Sequence, residues 1–343
     1  METNTNKEFK VIELEKYGGR LAVGTRPFRP LRKGEVLVKI MMSTIHPADI
    51  MFLMGEYGDE KPKVFPLIPG FEGSGEIVSV WEGGDKNLLK KRVCVTAPFK
   101  KDGTFEGVWA EYHYASLSNA MVFDSKIEYE KITFAQINPL TAVGFLDTVR
   151  KSKSKAVIQD GTSGALGKMF IRLCAKEGLP SINLVRNQRH ILDLQKLGGD
   201  YVLSTEEPQW EKAIAKLAQE LNASIFFDCV GGNLPGKILS LLPYGSVMYN
   251  FGNLELKKVG IDSSSLIFND KKVQGWWLLN WLKSLTPEEK VKWWSYVTKD
   301  IKSGSDLFLT HTSRDFSLKQ ITEAIDYYQK NMSEGKVILK TKF

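Results

Sequence analysis

A short apolar strand, a glycine-studded turn and an amphipathic helix follow one another without interruption in VIQDGTSGALGKMFIRLC, and no other stretch constrains the chain as much. Gly161, Gly164 and Gly167 stand at GxxGxxG spacing. Small residues there let the backbone turn tightly and bring helix amides against a pyrophosphate, and Gly167 lets helix and strand pack closely. The spacing is not the GxGxxG fingerprint, so a tight turn that binds nothing stays open as the alternative.

Context favours the nucleotide site. From about Ile132 onward, continuous apolar runs (KAVIQD, PSINLV, YVLS, ASIFFD, GSVMYN and KVQGWWL) alternate with helix-like segments over 164–177, 188–197, 208–221 and 234–241. Buried strands separated by helices predict a doubly wound parallel sheet of six strands, with the glycine turn at the first of them. The second strand ends at Arg186, about twenty residues past Gly167, near the ~20-residue offset where an NAD site keeps an acidic residue. Here the chain reads VRNQRH, and Arg186 and Arg189 could clamp a 2′-phosphate, so NADPH is the expected cofactor. Solvated loop arginines are the plainer reading of both. Before this region, from Phe9 to about Tyr114, short β-rich runs such as EVLVKIMMS and KRVCVTAP are separated by Gly and Pro and predict an all-β module. After it, Thr286, Pro287 and Glu289 form a helix-start box, followed by a further helix near 318–331 and a last strand, KVILK, that can return to the β module.

Composition excludes several classes. The 343 residues suit two domains, and 43% hydrophobic against 25% charged residues describe a globular chain. The longest near-apolar stretch, GWWLLNWL, is too short to span a bilayer, which needs ~20 residues. A net charge of +7 is spread without long runs, so nucleic acid is not an expected partner. Cys94, Cys174 and Cys229 are odd in number and far apart, which argues for a reducing compartment and against a disulfide framework. METNTNKEFK has no Arg and no apolar core, so a targeting segment is not expected.

The order of β module, nucleotide sheet and return strand resembles the medium-chain dehydrogenase/reductase superfamily over essentially the whole chain, through HPADI, PLIPGFEGSGEIVSV, the glycine turn and GKVIL. The resemblance implies a GroES-like β-rich catalytic domain over 1–130 and 286–343 and a Rossmann NADP-binding domain over 131–285, an α/β fold. Zinc-dependent members hold their metal with a Cys and a His in corresponding segments; STIHPADI has no Cys, and Phe71 occupies the His position. Phenylalanine cannot ligate zinc, so no metal site is expected. Within the zinc-free branch, HPADIMFLMGEYG, INLVR and QGWWLLNWLKS are similar to segments of mitochondrial trans-2-enoyl-thioester reductases.

That resemblance makes Tyr57 the proton donor, and a phenol on a Gly-flanked loop (Gly55, Gly58) is an acceptable general acid toward an enolate; an aromatic capping a loop is the alternative. It assigns Gly164, Ala165, Leu166 and Gly167 to the phosphate turn, Arg186 to the 2′-phosphate, and Asn138, Phe251, Gly252, Asn253, Trp276, Trp277 and Lys336 to the cofactor surroundings. Gln188 stands where the family has its second arginine, with Arg189 shifted by one. Trp293 and Trp294 read as packing or dimer contacts, and the four histidines, His46, His113, His190 and His311, which show no metal-ligand spacing, read as structural. The implied activity is NADPH-dependent reduction of enoyl-CoA or enoyl-acyl-carrier-protein in the mitochondrial matrix, by a homodimer, with acyl carrier protein as a possible partner and the cytosol as the alternative location. A quinone or enone reductase, and a catalytically silent accessory subunit of the same fold, are the competing readings.

Overall fold

The computed structural model describes residues 7–58 and 61–343; residues 1–6, where a targeting segment was not expected, lie outside the described residues. Two units emerge, one of residues 1–137 and 294–343, the other of residues 138–293. The divisions fall inside two helices.

Chain order in the first unit runs β1 (Glu8–Leu14), β2 (Leu21–Pro27), β3 (Glu35–Thr44), α1 (Pro47–Met54), β4 (Glu72–Val80), β5 (Arg92–Thr96), β6 (Tyr112–Ser116), β7 (Ala120–Phe123) and α2 (Tyr129–Ile132). Helix α3 (Ile137–Lys151) leads into the second unit, where β8 (Ala156–Gln159), α4 (Ala165–Lys176), β9 (Ser181–Val185), α5 (Ile191–Lys196), β10 (Tyr201–Ser204), α6 (Trp210–Glu220), β11 (Ala223–Asp228), α7 (Leu234–Leu241), β12 (Val247–Asn250), α8 (Ser263–Phe268), β13 (Lys272–Gly275) and α9 (Leu278–Ser284) follow. Helix α10 (Pro287–Ser303) returns to the first unit, which closes with β14 (Thr312–Ser317), α11 (Ile321–Lys330) and β15 (Lys336–Lys340). The start of α10 carries the anticipated box: Thr286 N donates to Glu289 Oε2 at 2.9 Å and Glu289 N to Thr286 Oγ1 at 3.2 Å.

The second unit is the expected six-stranded parallel sheet, in the order β10-β9-β8-β11-β12-β13. The strand order reverses between β8 and β11, with β9 and β10 added on one side of β8 and β11 to β13 on the other, and the glycine turn leaves at that switch point, where ligands of open α/β sheets bind. Its core holds Ile158, Ile182, Leu184, Phe226 and Met248, which are buried because each inner strand is covered on both faces. Two expectations need correction. β13 is exposed along its length, since it forms the sheet edge with no neighbour beyond it. The strand also stops at Gly275, so Trp276 and Trp277 lie between β13 and α9.

The first unit is built on a sheet in the order β14-β15-β3-β4-β5-β7, with β6 also paired to β3 and β1-β2 forming a separate ribbon. The returning strand β15 lies against β3, antiparallel, with Ile338 opposite Thr44. TSRDFS forms a strand because it pairs in parallel with β15 and buries Phe316. Among the described residues no helix is long and apolar enough to cross a membrane.

Candidate functional site

In the second unit two of the three glycines of the turn have a steric reason. Gly161 has φ +57°, and a side chain there would run into Cys229 Sγ. At Gly167 an added Cβ would lie 2.5 Å from Thr162 O and 2.6 Å from Thr162 Cα, both backbone atoms that cannot swing away. Gly164 is different: an added Cβ would meet only Gly161 O, at 3.4 Å, so its surface is open. Thr162 Oγ1 donates to Leu184 O at 2.9 Å and fastens the turn to β9. Among the described residues no side chain caps α4. The leading amides of this helix, including those of Ala165 and Leu166, therefore face outward with the positive end of the helix dipole behind them, a ready site for an anion.

The second-strand arginines are exposed where β9 ends. The Asn187 side chain accepts from Arg189 N at 2.9 Å and shapes a single 3-10 turn, not the expected continuous helix, that carries Arg189 just beyond Arg186. Phe251, Gly252 and Asn253 follow β12 and pack against the loop after β11: Phe251 N donates to Asp228 O at 2.9 Å, and Leu254 N to Cys229 O at 2.9 Å. Asn138 is buried near the start of α3.

Trp276 is drawn into the core of this unit. Its indole donates to Thr148 Oγ1 at 3.0 Å, and its ring packs edge-on to Phe145 at 4.7 Å. Trp277 is 39% exposed. Together with Trp281, Tyr249, Asp147 and Thr148 they line an open cleft of about 370 Å³.

In the first unit α1 ends at Gly55, whose φ of +77° is the left-handed cap geometry, and Gly58 has φ +80°. Between them Tyr57 is half-buried on a bed of aromatic rings, 5.1 Å from Phe71 and stacked at 6.0 Å on Phe99. Phe71 thus fills its position with packing.

Beneath that bed lies a feature the sequence did not disclose, four buried charged or titratable side chains. His46 Nε2 and Glu72 Oε2 are 2.8 Å apart, and Lys336 Nζ lies 2.8 Å from His46 Nδ1 and 3.3 Å from Ile45 O. Asp49 accepts from His46 N at 2.7 Å and Phe71 N at 3.0 Å, while Glu72 Oε1 accepts from Gln136 N at 2.7 Å and Ile137 N at 2.9 Å. Burial pushes His46 down to about 4, with Lys336 adding to the effect, so the ring is neutral at pH 7. The network assigns its proton to Nε2, donated to Glu72, because Nδ1 must accept from the lysine. Burial likewise lowers Lys336 to about 8 and raises Asp49 to about 7. Lys336, expected by resemblance beside the cofactor, is 3% exposed in this network. Among the described residues no group of three or more His, Cys, Asp or Glu could hold a metal ion.

The zinc-binding dehydrogenase family profile matches residues 165–293, and the alcohol dehydrogenase GroES-like domain profile matches residues 32–124. A mitochondrial enoyl-[acyl-carrier-protein] reductase of Arabidopsis thaliana is 28% identical over 96% of this chain and 85% of that protein. The one from Rattus norvegicus is 30% identical over 74% of this chain and 68% of that protein. Among solved structures, a proposed NADPH:quinone reductase from Mesorhizobium loti superposes with a TM-score of 0.85 at 25% identity over 99% of this chain and 100% of that one. An enoyl thioester reductase variant from Candida tropicalis superposes with a TM-score of 0.79 at 19% identity, covering 97% and 100%.

A GroES-like sheet and a doubly wound sheet with an open glycine turn, carried on one chain, define an oxidoreductase whose fold takes a pyridine nucleotide. The chain belongs to the medium-chain dehydrogenase/reductase superfamily, and within it is enoyl-reductase-like.

Proposed function

We propose that the chain reduces trans-2-enoyl thioesters with NADPH and that Tyr57 supplies the proton. One observation carries the reading: a half-buried phenol on a glycine-flanked loop over an aromatic bed, in a chain alike over 96% of its length to an enoyl-acyl-carrier-protein reductase. NADPH fits the crevice of the second unit on that unit's own features, namely the uncapped α4 amides for the pyrophosphate, the open backbone at Gly164, and Arg186 with Arg189 for a 2′-phosphate. When bound, the cofactor supplies a hydride, which a conjugated thioester accepts at its β-carbon. Tyr57 then donates its phenolic proton to the α-carbon of the enolate, and the rings of Phe71 and Phe99 shield the phenol from water. The Phe71 side chain gives that position no zinc ligand.

Tyr57→Phe keeps the ring contacts and removes the acid. Turnover of a medium-chain enoyl-CoA should fall by roughly 10²-fold or more with little change in thermal stability. An unchanged rate takes Tyr57 out of the mechanism. The likeness to the Mesorhizobium loti structure favours a second reading, a quinone or enone reductase. NADPH oxidation with a small quinone but not with enoyl-CoA would establish it in place of the first. The proposal extends to a homodimer joined along the exposed edge strand β13, an acyl carrier protein or CoA thioester as substrate carrier, and the mitochondrial matrix of the named relatives as the location.

A further inference from the structure

The strand ends of the second unit carry a pair of buried carboxyls that the reaction above does not use. β8 and β11 are neighbours with Gln159 opposite Phe227, so the next residue of each, Asp160 and Asp228, meet at the carboxyl edge of the sheet. Asp228 is fully buried and well supplied with donors: Oδ1 accepts from Val230 N at 2.9 Å and Gly231 N at 3.1 Å, and Oδ2 accepts from the Asn250 side chain. Asp160 is 3% exposed and unevenly served. Its Oδ1 accepts from Cys229 N at 2.8 Å, but among the described residues no donor reaches Oδ2. A buried carboxylate oxygen without a donor is destabilising, a penalty that vanishes if the oxygen carries a proton and donates it to the neighbouring carboxylate. Burial first, then the Asp228 charge and a hydrogen bond to it, push Asp160 well above the ordinary carboxyl range.

We propose that Asp160 is a positioning residue for the nucleotide turn, a neutral carboxylic acid that donates to Asp228 and so clamps the glycine turn against the loop after β11. Gly161 follows it directly, and the 229–231 loop is held by Asp228 itself, so this hydrogen bond adds to the one from Cys229 N in joining the two walls of the crevice at the switch point. Sharing one proton also leaves a single negative charge, not two, beneath the amides that meet an anion. The inference rests on the nucleotide reading of that crevice.

The test uses the full chain, its Asp160→Asn and Asp160→Ala variants, infrared difference spectra at pH 7, and NADPH titration followed by fluorescence. The wild type should show the C=O stretch of a neutral carboxylic acid that Asp160→Asn lacks. Asparagine can still donate to Asp228 and should bind NADPH within about threefold of the wild type, whereas alanine should bind about tenfold or more weakly. If the alanine chain does not fold, the infrared band and the asparagine affinity decide. Absence of the band, or NADPH binding by the alanine variant as tight as by the wild type, overturns the proposal. A wild type that shows the band yet binds no NADPH refutes the nucleotide reading and leaves the carboxyl pair standing.

Discussion

Replacing Lys336 with methionine should abolish a rise in stability at alkaline pH, and the size of that rise follows from the burial of the ammonium. In the folded chain its pKa is about 8, against the ordinary 10.5. Between these values the unfolded chain binds the proton and the folded chain does not, so stability climbs as pH rises through the window. A displacement of about 2.5 units corresponds to about 3 kcal/mol. At pH 7 the level is less telling than the slope: methionine removes a buried charge, but it also leaves His46 Nδ1 without a donor and Glu72 without its nearby cation. His46 and Asp49 do not blur the window. Their lowered and raised pKa values act in opposite senses, His46 between about 4 and 6.5 and Asp49 up to about 7, both below the Lys336 window. Lys271, also lowered to about 8 by burial, titrates in the same range, so the readout is the difference between wild type and variant. Urea denaturation from pH 7.5 to 10.5 should give two curves that diverge by about 3 kcal/mol at the alkaline end. Parallel curves would refute the reasoning.

Gly167→Ala forces a Cβ to within 2.5 Å of Thr162 O, and should destabilise the chain by about 1–3 kcal/mol and weaken NADPH binding; a melting temperature and affinity equal to wild type would show that α4 can move. Arg186→Ala should weaken NADPH binding about tenfold while leaving NADH nearly untouched, because only the former carries the 2′-phosphate; equal losses for the two nucleotides would remove Arg186 from that role. Val273, 41% exposed on β13, becomes a charge on the sheet edge in Val273→Lys, and sedimentation should report monomers in place of dimers; a dimer that persists places the interface elsewhere.

The parallel sheet was legible because strands covered on both faces must be mostly apolar without alternation, as ASIFFD and SINLV are. β13 misled for the same reason: KVQGWWL looks like such a strand, yet its apolar end serves the cleft around Trp276, and Lys272–Gly275 are exposed. The glycine turn could be read since Gly161 and Gly167 answer local steric demands. The buried network of the first unit could not. His46, Asp49, Glu72 and Lys336 meet only once β15 lies against β3, and nothing local to Lys336 in GKVILK says that its ammonium faces inward. Asp160 and Asp228 had a fainter signal, an acidic residue closing each of two apolar runs, IQD and FFD. Their proximity depends on β8 and β11 being neighbours, which is a property of strand order across the sheet and not of either run.

The seat of β15 between β14 and β3 also sets an order of assembly during synthesis. Residues 138–293 form one uninterrupted stretch and can close their sheet as they leave the ribosome, while the earlier strands wait. Until residue 336 emerges, the end of β3 from Met42 to Thr44, beyond the stretch paired with β6, has a bare flank, and β14 lacks the parallel neighbour that defines it. A nascent or truncated chain therefore offers an unpaired ribbon to whatever strand is nearby, and chaperone demand should peak late in translation.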